Sequence, residues 1–370
     1  MIFLFGILTP FILQAQATVI TWRNPMSEKF NIVQGQGWPV ELAGKYQRLP
    51  DRAKKTVRPP VWALADNSAG EYIEFESNAK TIVVRYSVTG SLSMPHMPAT
   101  GVSGLDLFAK SKDGQWEWAP GKFSFKDTIR YRFENLKVDS IKIFRLYLPL
   151  YNSVKWLEVG TVANTIFRFL PPEHSRPIVV YGTSIAQGGC ASRPGLAWTA
   201  ILGRDLNLPI VNLGFSGNGN LEQSVVDLIS ELDAKLYILD CMPNLSSKVL
   251  FPDSVVEQRI FAAIATLRLA HPRVPIALAQ HSGGNSDLII ETEYTKEFRR
   301  VSTISKSTFD QLRAQGKKNI YLLRTKAIGM GINSTVDGAH PNDIGMMEYA
   351  KAYEKIIRKI LRKNNTNDLY

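Results

Sequence analysis

The fold turns on one stretch, Pro177-Ile178-Val179-Val180-Tyr181-Gly182-Thr183-Ser184-Ile185-Ala186-Gln187-Gly188-Gly189. It begins as a short apolar run and breaks at a small, glycine-bounded turn. Such a run reads as a strand buried on both faces, and the turn as the place where a helix begins. The same unit recurs downstream. Apolar runs stand at 210–213, 236–239, 276–279 and 320–323, and helical patterns occupy 197–206, 221–232 and 255–270 between them. Strand–helix alternation predicts a parallel sheet with helices on both faces. Ligands of such sheets sit outside the carboxyl ends of the strands, so the residues that follow each run carry the chemistry.

Behind the first run comes Gly182-Thr183-Ser184. A serine at a helix start has an accessible hydroxyl, and the backbone N–H groups around it point towards an incoming anion. That suits a nucleophile whose intermediate is an oxyanion, although a plain N-capping serine has the same sequence. Behind the second run comes Asn212-Leu213-Gly214-Phe215-Ser216-Gly217-Asn218-Gly219, whose glycines let a backbone N–H approach a ligand closely. A nucleophile elbow at Ser216 fails because position 218 is Asn, and a dinucleotide loop fails on the order of the glycines. Behind the third, Asp240-Cys241-Met242-Pro243-Asn244 offers the Asn244 amide, either as a donor to an oxyanion or as an Asx turn.

Near the end, Val336-Asp337-Gly338-Ala339-His340-Pro341-Asn342 sets a carboxylate and an imidazole side by side. The carboxylate can hold one ring nitrogen while the other faces a serine. Asn342 is expected to cap a closing helix that starts at Asp343. Of the five histidines, His96, His174, His271, His281 and His340, only His340 has a carboxylate at such spacing in a strand-following loop. His281, in the loop after the fourth run, faces the same end and is a candidate substrate contact. Arg193, close behind the candidate nucleophile, is either a second substrate contact or half of a structural salt bridge.

Upstream of the proline-marked linker Leu170-Pro171-Pro172 the rhythm changes. Tyr72-Ile73-Glu74-Phe75, Thr81-Ile82-Val83-Val84-Arg85-Tyr86, Thr128-Ile129-Arg130-Tyr131-Arg132-Phe133 and Ile141-Lys142-Ile143-Phe144-Arg145-Leu146-Tyr147 alternate with period two. Short strands at regular spacing predict a β-sandwich, and no helical period is read there. The chain of 370 residues is long enough for two cores, and with 45% hydrophobic and 21% charged residues it reads as globular.

Residues 1–17 carry no charged side chain and end in Ala15-Gln16-Ala17, a small-x-small cleavage signature. We expect a signal peptide there and export to the periplasm or the medium. No later stretch is apolar and long enough to enter a membrane. Part of the net charge of +11 lies on Lys351, Lys355, Arg358, Lys359, Arg362 and Lys363, a solvated helix face without the interleaved aromatics of a nucleic-acid platform. Cys190 and Cys241, without clustered histidines, make a poor zinc site. They are expected as free, half-buried thiols, with a disulfide as the alternative.

Taken together and in this order, the strand-end residues resemble the four separated blocks of the SGNH (GDSL-type) hydrolases. Gly182-Thr183-Ser184 resembles the first block, Ser216-Gly217 the second, Pro243-Asn244 the third and Asp337-Gly338-Ala339-His340 the fourth. Thr183 stands in place of the usual Asp and Met242 in place of the usual Gly. Gly104-Leu105-Asp106-Leu107-Phe108 is similar to the Gly-x-Asp-Leu-Tyr motif of a bacterial two-domain branch, with Phe for Tyr. His96-Met97-Pro98-Ala99-Thr100-Gly101 before it also has the look of that branch.

The resemblance implies a jelly-roll-like β-sandwich over 18–168, a flavodoxin-like three-layer α/β/α hydrolase domain with a five-stranded parallel sheet over 175–363, and a polar tail over 364–370. It implies Ser184 as nucleophile, His340 as base and Asp337 as its orienter. An oxyanion hole would come from the Ser184 and Gly217 N–H groups and the Asn244 amide. No cofactor or metal is called for. The branch is associated with short acyl groups, notably acetyl, on sugars, so an acylated carbohydrate or other small ester is the expected substrate. A lipid or lysophospholipid esterase and a non-catalytic glycan-binding protein are the alternatives, and the oligomeric state stays open.

Overall fold

The computed structural model describes residues 19–173, 175–283, 289 and 293–367; the expected signal peptide lies outside these. The C-terminal half carries β1 (Ile178–Gly182), β2 (Ile210–Gly214), β3 (Leu236–Asp240), β4 (Ile276–Ala279) and β5 (Ile320–Leu323). They form one parallel sheet in the order β2-β1-β3-β4-β5. The apolar runs mark these strands to within a residue, because a strand covered on both faces has no polar side to interrupt the run. Seven helices accompany them among the described residues: α1 (Ser184–Gln187), α2 (Trp198–Leu206), α3 (Gln223–Ile229), α4 (Asp253–Ala270), α5 (Glu293–Ala314), α6 (Thr325–Ile328) and α7 (Asp343–Asn367). Helix α7 runs past position 363, where the polar tail was expected to begin. None of the helices is long and apolar enough to cross a membrane.

The sheet separates two cores. Val179 and Tyr181 of β1 face one, Ile178 and Val180 the other, as period-two alternation requires. Trp198 and Tyr353 stack at 4.4 Å in the second core and join α2 to α7.

The N-terminal half is a pair of antiparallel sheets. One has the order Ile20–Arg23, Val154–Val162, Ile82–Val88, Ile129–Phe133, Lys122–Ser124. The other runs Phe167–Phe169, Tyr72–Ser77, Lys142–Tyr147, Asp106–Lys110, Trp116–Ala119, with Val33–Gln34 paired to Tyr72–Ser77. Inward residues of both, such as Phe75, Val84, Tyr131 and Phe144, share a third core.

One expectation fails here. Between the first strands lie a helix, Pro59–Ala65, and a 3-10 turn, Asp51–Lys55, where no helical period was read. Trp38, Leu42, Leu49, Ala53, Val57, Val61 and Ala65 belong to the core of the parallel-sheet half, not to the sandwich. The segment is N-terminal in sequence and shares the core of the parallel-sheet half.

Candidate active site

The carboxyl ends of β1, β2 and β3 and the loop before α7 meet at one place. Thr183 is the N-cap of α1 and accepts the Ile185 N–H at 3.3 Å. The capping role open to Ser184 is therefore filled by its neighbour, and the Ser184 hydroxyl has a different partner. Its Oγ lies 2.8 Å from His340 Nε2, across 156 positions of sequence. On the far side of the ring, His340 Nδ1 lies 2.7 Å from Asp337 Oδ2. With Nδ1–H donating to the carboxylate, Nε2 is the nitrogen free to accept the serine proton.

The Asp337–His340 loop is built to hold this pair. Asp337 Oδ1 accepts the N–H groups of Ala339 at 3.0 Å and His340 at 2.8 Å. Partial burial alone would raise the Asp337 carboxyl; hydrogen bonds from the His340 backbone, its ring and the Ala339 N–H outweigh it and hold the group below the usual range. Asn342 caps α7 as expected, its Oδ1 accepting from Ile344 and Gly345 at 3.0 and 3.2 Å. The Ser184 segment is tied to the same loop. Cys190 N–H donates to the Pro341 carbonyl at 2.9 Å, and the Ser192 N–H and hydroxyl both donate to the Asp343 carboxylate at 2.8 and 2.6 Å.

Beside Ser184 stand the candidate oxyanion donors. Gly217 adopts φ +67°, the left-handed region that favours glycine. The N–H groups of Ser216, Asn218 and Gly219 are used within the site, donating to Gln187 Oε1, the Phe215 carbonyl and Asn244 Oδ1. That last bond, at 2.9 Å, fixes which end of the Asn244 amide is which: the oxygen is taken and the NH2 is left to donate. Gly219 packs its backbone on β1; a Cβ there would lie 2.1 Å from the Gly182 carbonyl oxygen.

His281 is brought near His340, whose charge adds to burial in pushing the His281 imidazole down to about 3. Burial is the larger cause. The ring stacks on Phe298 at 3.6 Å, and Nδ1 accepts the Gly283 N–H at 2.9 Å. Its proton therefore sits on Nε2, a buried donor that has no hydrogen-bond partner among the described residues. Arg193 forms a salt bridge: its guanidinium pairs with Asp106 and lies 4.1 Å over the Trp118 ring. Asp106 also accepts from Trp118 Nε1 at 2.6 Å and the Gly195 N–H at 3.0 Å, so the Gly-x-Asp motif joins the two halves.

Both thiols are free and buried, more deeply than expected. Burial, helped by the Asp337 charge, pushes Cys190 up to about 12, and burial likewise raises Cys241. Trp198 is core, Trp116 is half-buried under the Arg145 guanidinium, and Trp118 and Trp156 are exposed. No group of three or more His, Cys, Asp or Glu side chains placed to hold a metal occurs among the described residues.

The sequence left two supporting residues unread. Tyr151 OH donates to the Ser184 carbonyl at 3.1 Å. Gln187 bridges Ser216 to the Leu150 carbonyl and Asn67. Both connect distant segments, and no local pattern signals such a connection. His96, in a stretch the sequence singled out without a role, lies with its ring centroid 6.1 Å from that of His340.

Residues 175–358 match the GDSL-like Lipase/Acylhydrolase family, and residues 20–167 match the N-terminus of SGNH-hydro-type esterases. No curated protein matches the chain. Among solved structures, the chain is similar to a protein from Bacteroides ovatus ATCC 8483 described as a GDSL-like lipase, with 31% identity and a TM-score of 0.84 over 93% of this chain and 98% of that one. It is similar in fold to the salicylyl-acyltransferase SsfX3 from a tetracycline biosynthetic pathway, at 18% identity and TM-score 0.73 over 93% and 98% of the two chains. It shares a fold also with Est2A, an acetyl xylan esterase from the rumen bacterium Butyrivibrio proteoclasticus, at 11% identity and TM-score 0.52 over 92% and 99%.

Proposed function

The chain belongs to the GDSL-like lipase/acylhydrolase family and is an ester hydrolase, and we propose that it is a serine esterase removing short acyl groups, acetyl foremost, from carbohydrate. The observation that carries the proposal is the unbroken hydrogen-bond chain from Ser184 Oγ through His340 to Asp337. In this reading His340 Nε2 takes the proton from Ser184 as its Oγ attacks the ester carbonyl. Asp337 keeps the imidazole in the right tautomer and stabilises it when charged. The tetrahedral oxyanion is held by the N–H groups of Ser184 and Gly217 and by the Asn244 NH2. His340 then returns the proton to the departing alcohol, and water, activated by the same ring, releases the acid from the acyl-serine.

Carbohydrate is supported by the fold neighbours described as acetyl xylan and other carbohydrate esterases.

The test is hydrolysis of 4-nitrophenyl acetate and octanoate by the wild type and Ser184→Ala, with a serine-directed fluorophosphonate as a covalent probe. Serine-dependent turnover of acetate over octanoate, and labelling lost in the variant, are expected. Preference for octanoate would move the substrate to lipid. Activity retained by Ser184→Ala would remove the nucleophile assignment, and a wild type inert to both esters and to the probe would leave a binding protein.

A further inference from the structure

The N-terminal half reaches into the site through one tight turn. Met94 and Met97 exchange both backbone hydrogen bonds, at 3.0 and 3.1 Å, so Pro95 and His96 form a two-residue tip. Met97 is buried beneath it, while His96 is exposed. The His96 ring centroid lies 6.1 Å from that of His340, with the planes 41° apart. Among the described residues the His96 side chain makes no hydrogen bond, and neither of its ring nitrogens is committed.

This tip is held in a fixed relation to the nucleophile. In the short helix that follows, Ala99–Val102, the Thr100 hydroxyl donates to the Ser192 carbonyl at 2.7 Å. The Gly101 backbone lies so close to the nucleophile loop that a Cβ would stand 2.3 Å from the Ala191 carbonyl oxygen. The Tyr151 N–H donates to Val102 and its hydroxyl to Ser184. Sandwich, turn and Ser184 segment are thus joined by hydrogen bonds and close backbone packing.

From this we infer that His96 belongs to the substrate site and binds the alcohol half of the ester, a polyhydroxy alcohol. The inference rests on the esterase reading above. His340 Nε2 must hand its proton to the departing oxygen, so that oxygen comes within about 3 Å of Nε2 during the reaction. The acyl oxygen is held elsewhere, at Ser184, Gly217 and Asn244. The alcohol therefore extends along the His340 side of the site, where His96 is the neighbouring ring. A neutral imidazole donates at one nitrogen and accepts at the other, and its flat face packs on C–H groups. Hydroxyls flanking an esterified carbon match both properties, whereas a simple aryl or alkyl leaving group offers no hydroxyl to bind.

The test compares two acetyl esters that differ only in the alcohol: an acetylated xylo-oligosaccharide and 4-nitrophenyl acetate. We expect His96→Ala to raise KM for the sugar ester roughly tenfold and to leave kcat/KM for the aryl ester within about twofold. His96→Gln, which can still donate and accept, should recover part of the loss. Fluorophosphonate labelling of Ser184 at the wild-type rate would show that fold and nucleophile survive the substitution. An unchanged KM for the sugar ester overturns the inference. So does an equal loss with both esters, which would mean that His96 acts on His340 and not on the alcohol. Failure of the parent reading appears in a different place, in the wild type: serine-dependent turnover of the aryl ester with none of any acetylated sugar overturns the carbohydrate substrate and the polyol role together.

Discussion

Two neighbouring hydroxyls have separate roles at the head of α1: Thr183 caps the helix, and Ser184, first residue within it, bonds His340. The departure from the usual Asp at 183 thus retains a side-chain oxygen able to accept the first free N–H. The Asp337–His340 pair is local, made by a turn whose own N–H groups saturate the carboxylate, and three-residue spacing alone made it legible. The serine–histidine bond joins residues 156 apart and was legible through the resemblance of the strand-end blocks, taken together, to those of the family. Asn244 is the most informative residue to alter. Its Oδ1 anchors Gly219 and its NH2 has no partner among the described residues, so Asn244→Asp keeps the anchor, removes the donor and sets a negative charge beside the developing oxyanion. We expect kcat to fall by more than the about 10²–10³-fold that losing one oxyanion donor costs, with little change in KM. A fall confined to KM would place Asn244 in ground-state binding instead.

At the scale of elements, the strand ends set the chemistry and also its weak points. Gly219 leans on β1, and Gly219→Ala must push a backbone carbonyl or the whole Gly217 loop outwards. The expected result is a loss of about 1–3 kcal/mol in denaturant unfolding and a larger proportional loss of kcat than of stability, since Gly217 and Asn244 shift with it. At the end of β3, Asp240 is fully buried with Tyr353 OH donating to its Oδ2 at 2.9 Å. Burial pushes this carboxyl up to about 6, against the Tyr353 bond. A carboxyl raised above its unfolded value binds a proton more tightly in the native state. Stability from this group is therefore complete below the unfolded value near 4 and declines as pH rises through 6. Asp240→Asn keeps the acceptor for Tyr353 and cannot ionise. Its unfolding free energy should drop less than the wild type's between pH 4 and pH 8, by on the order of 2–3 kcal/mol. Parallel pH profiles would show that Asp240 does not titrate in this window. The helix over Pro59–Ala65 shows why one element was missed. Ala53, Val57, Val61 and Ala65 recur every fourth position, a helical signal, but a short one set among strands and interrupted by Pro59 and Pro60.

For the molecule as a whole, the two halves are not beads on a linker. Arg48 is fully buried where residues 38–67 meet the parallel sheet, and its guanidinium donates to four backbone carbonyls: Leu64 and Asn67 in its own segment, Asn212 and Gly214 at the end of β2. Burial pushes it down to about 10, which still leaves it charged at neutral pH. Arg48→Met strands those carbonyls, and we expect a loss of about 3 kcal/mol or more. Calorimetry of the wild type should give a single cooperative transition. Two resolved transitions would mean that the halves unfold independently and that the shared cores contribute little. The sequence by itself determined the five parallel strands, the four strand-end blocks and the Asp337–His340 turn. Each of these is written in contiguous residues, as apolar runs, glycine spacing or a local capping pattern. Only the tertiary structure decided that residues 38–65 belong to the second core, that Asp106 holds Arg193, that Tyr151 and Gln187 brace the Ser184 segment, and that His96 stands beside His340. Those contacts depend on how two separately patterned halves meet, and side-chain periodicity reports which face of an element is buried but not what buries it.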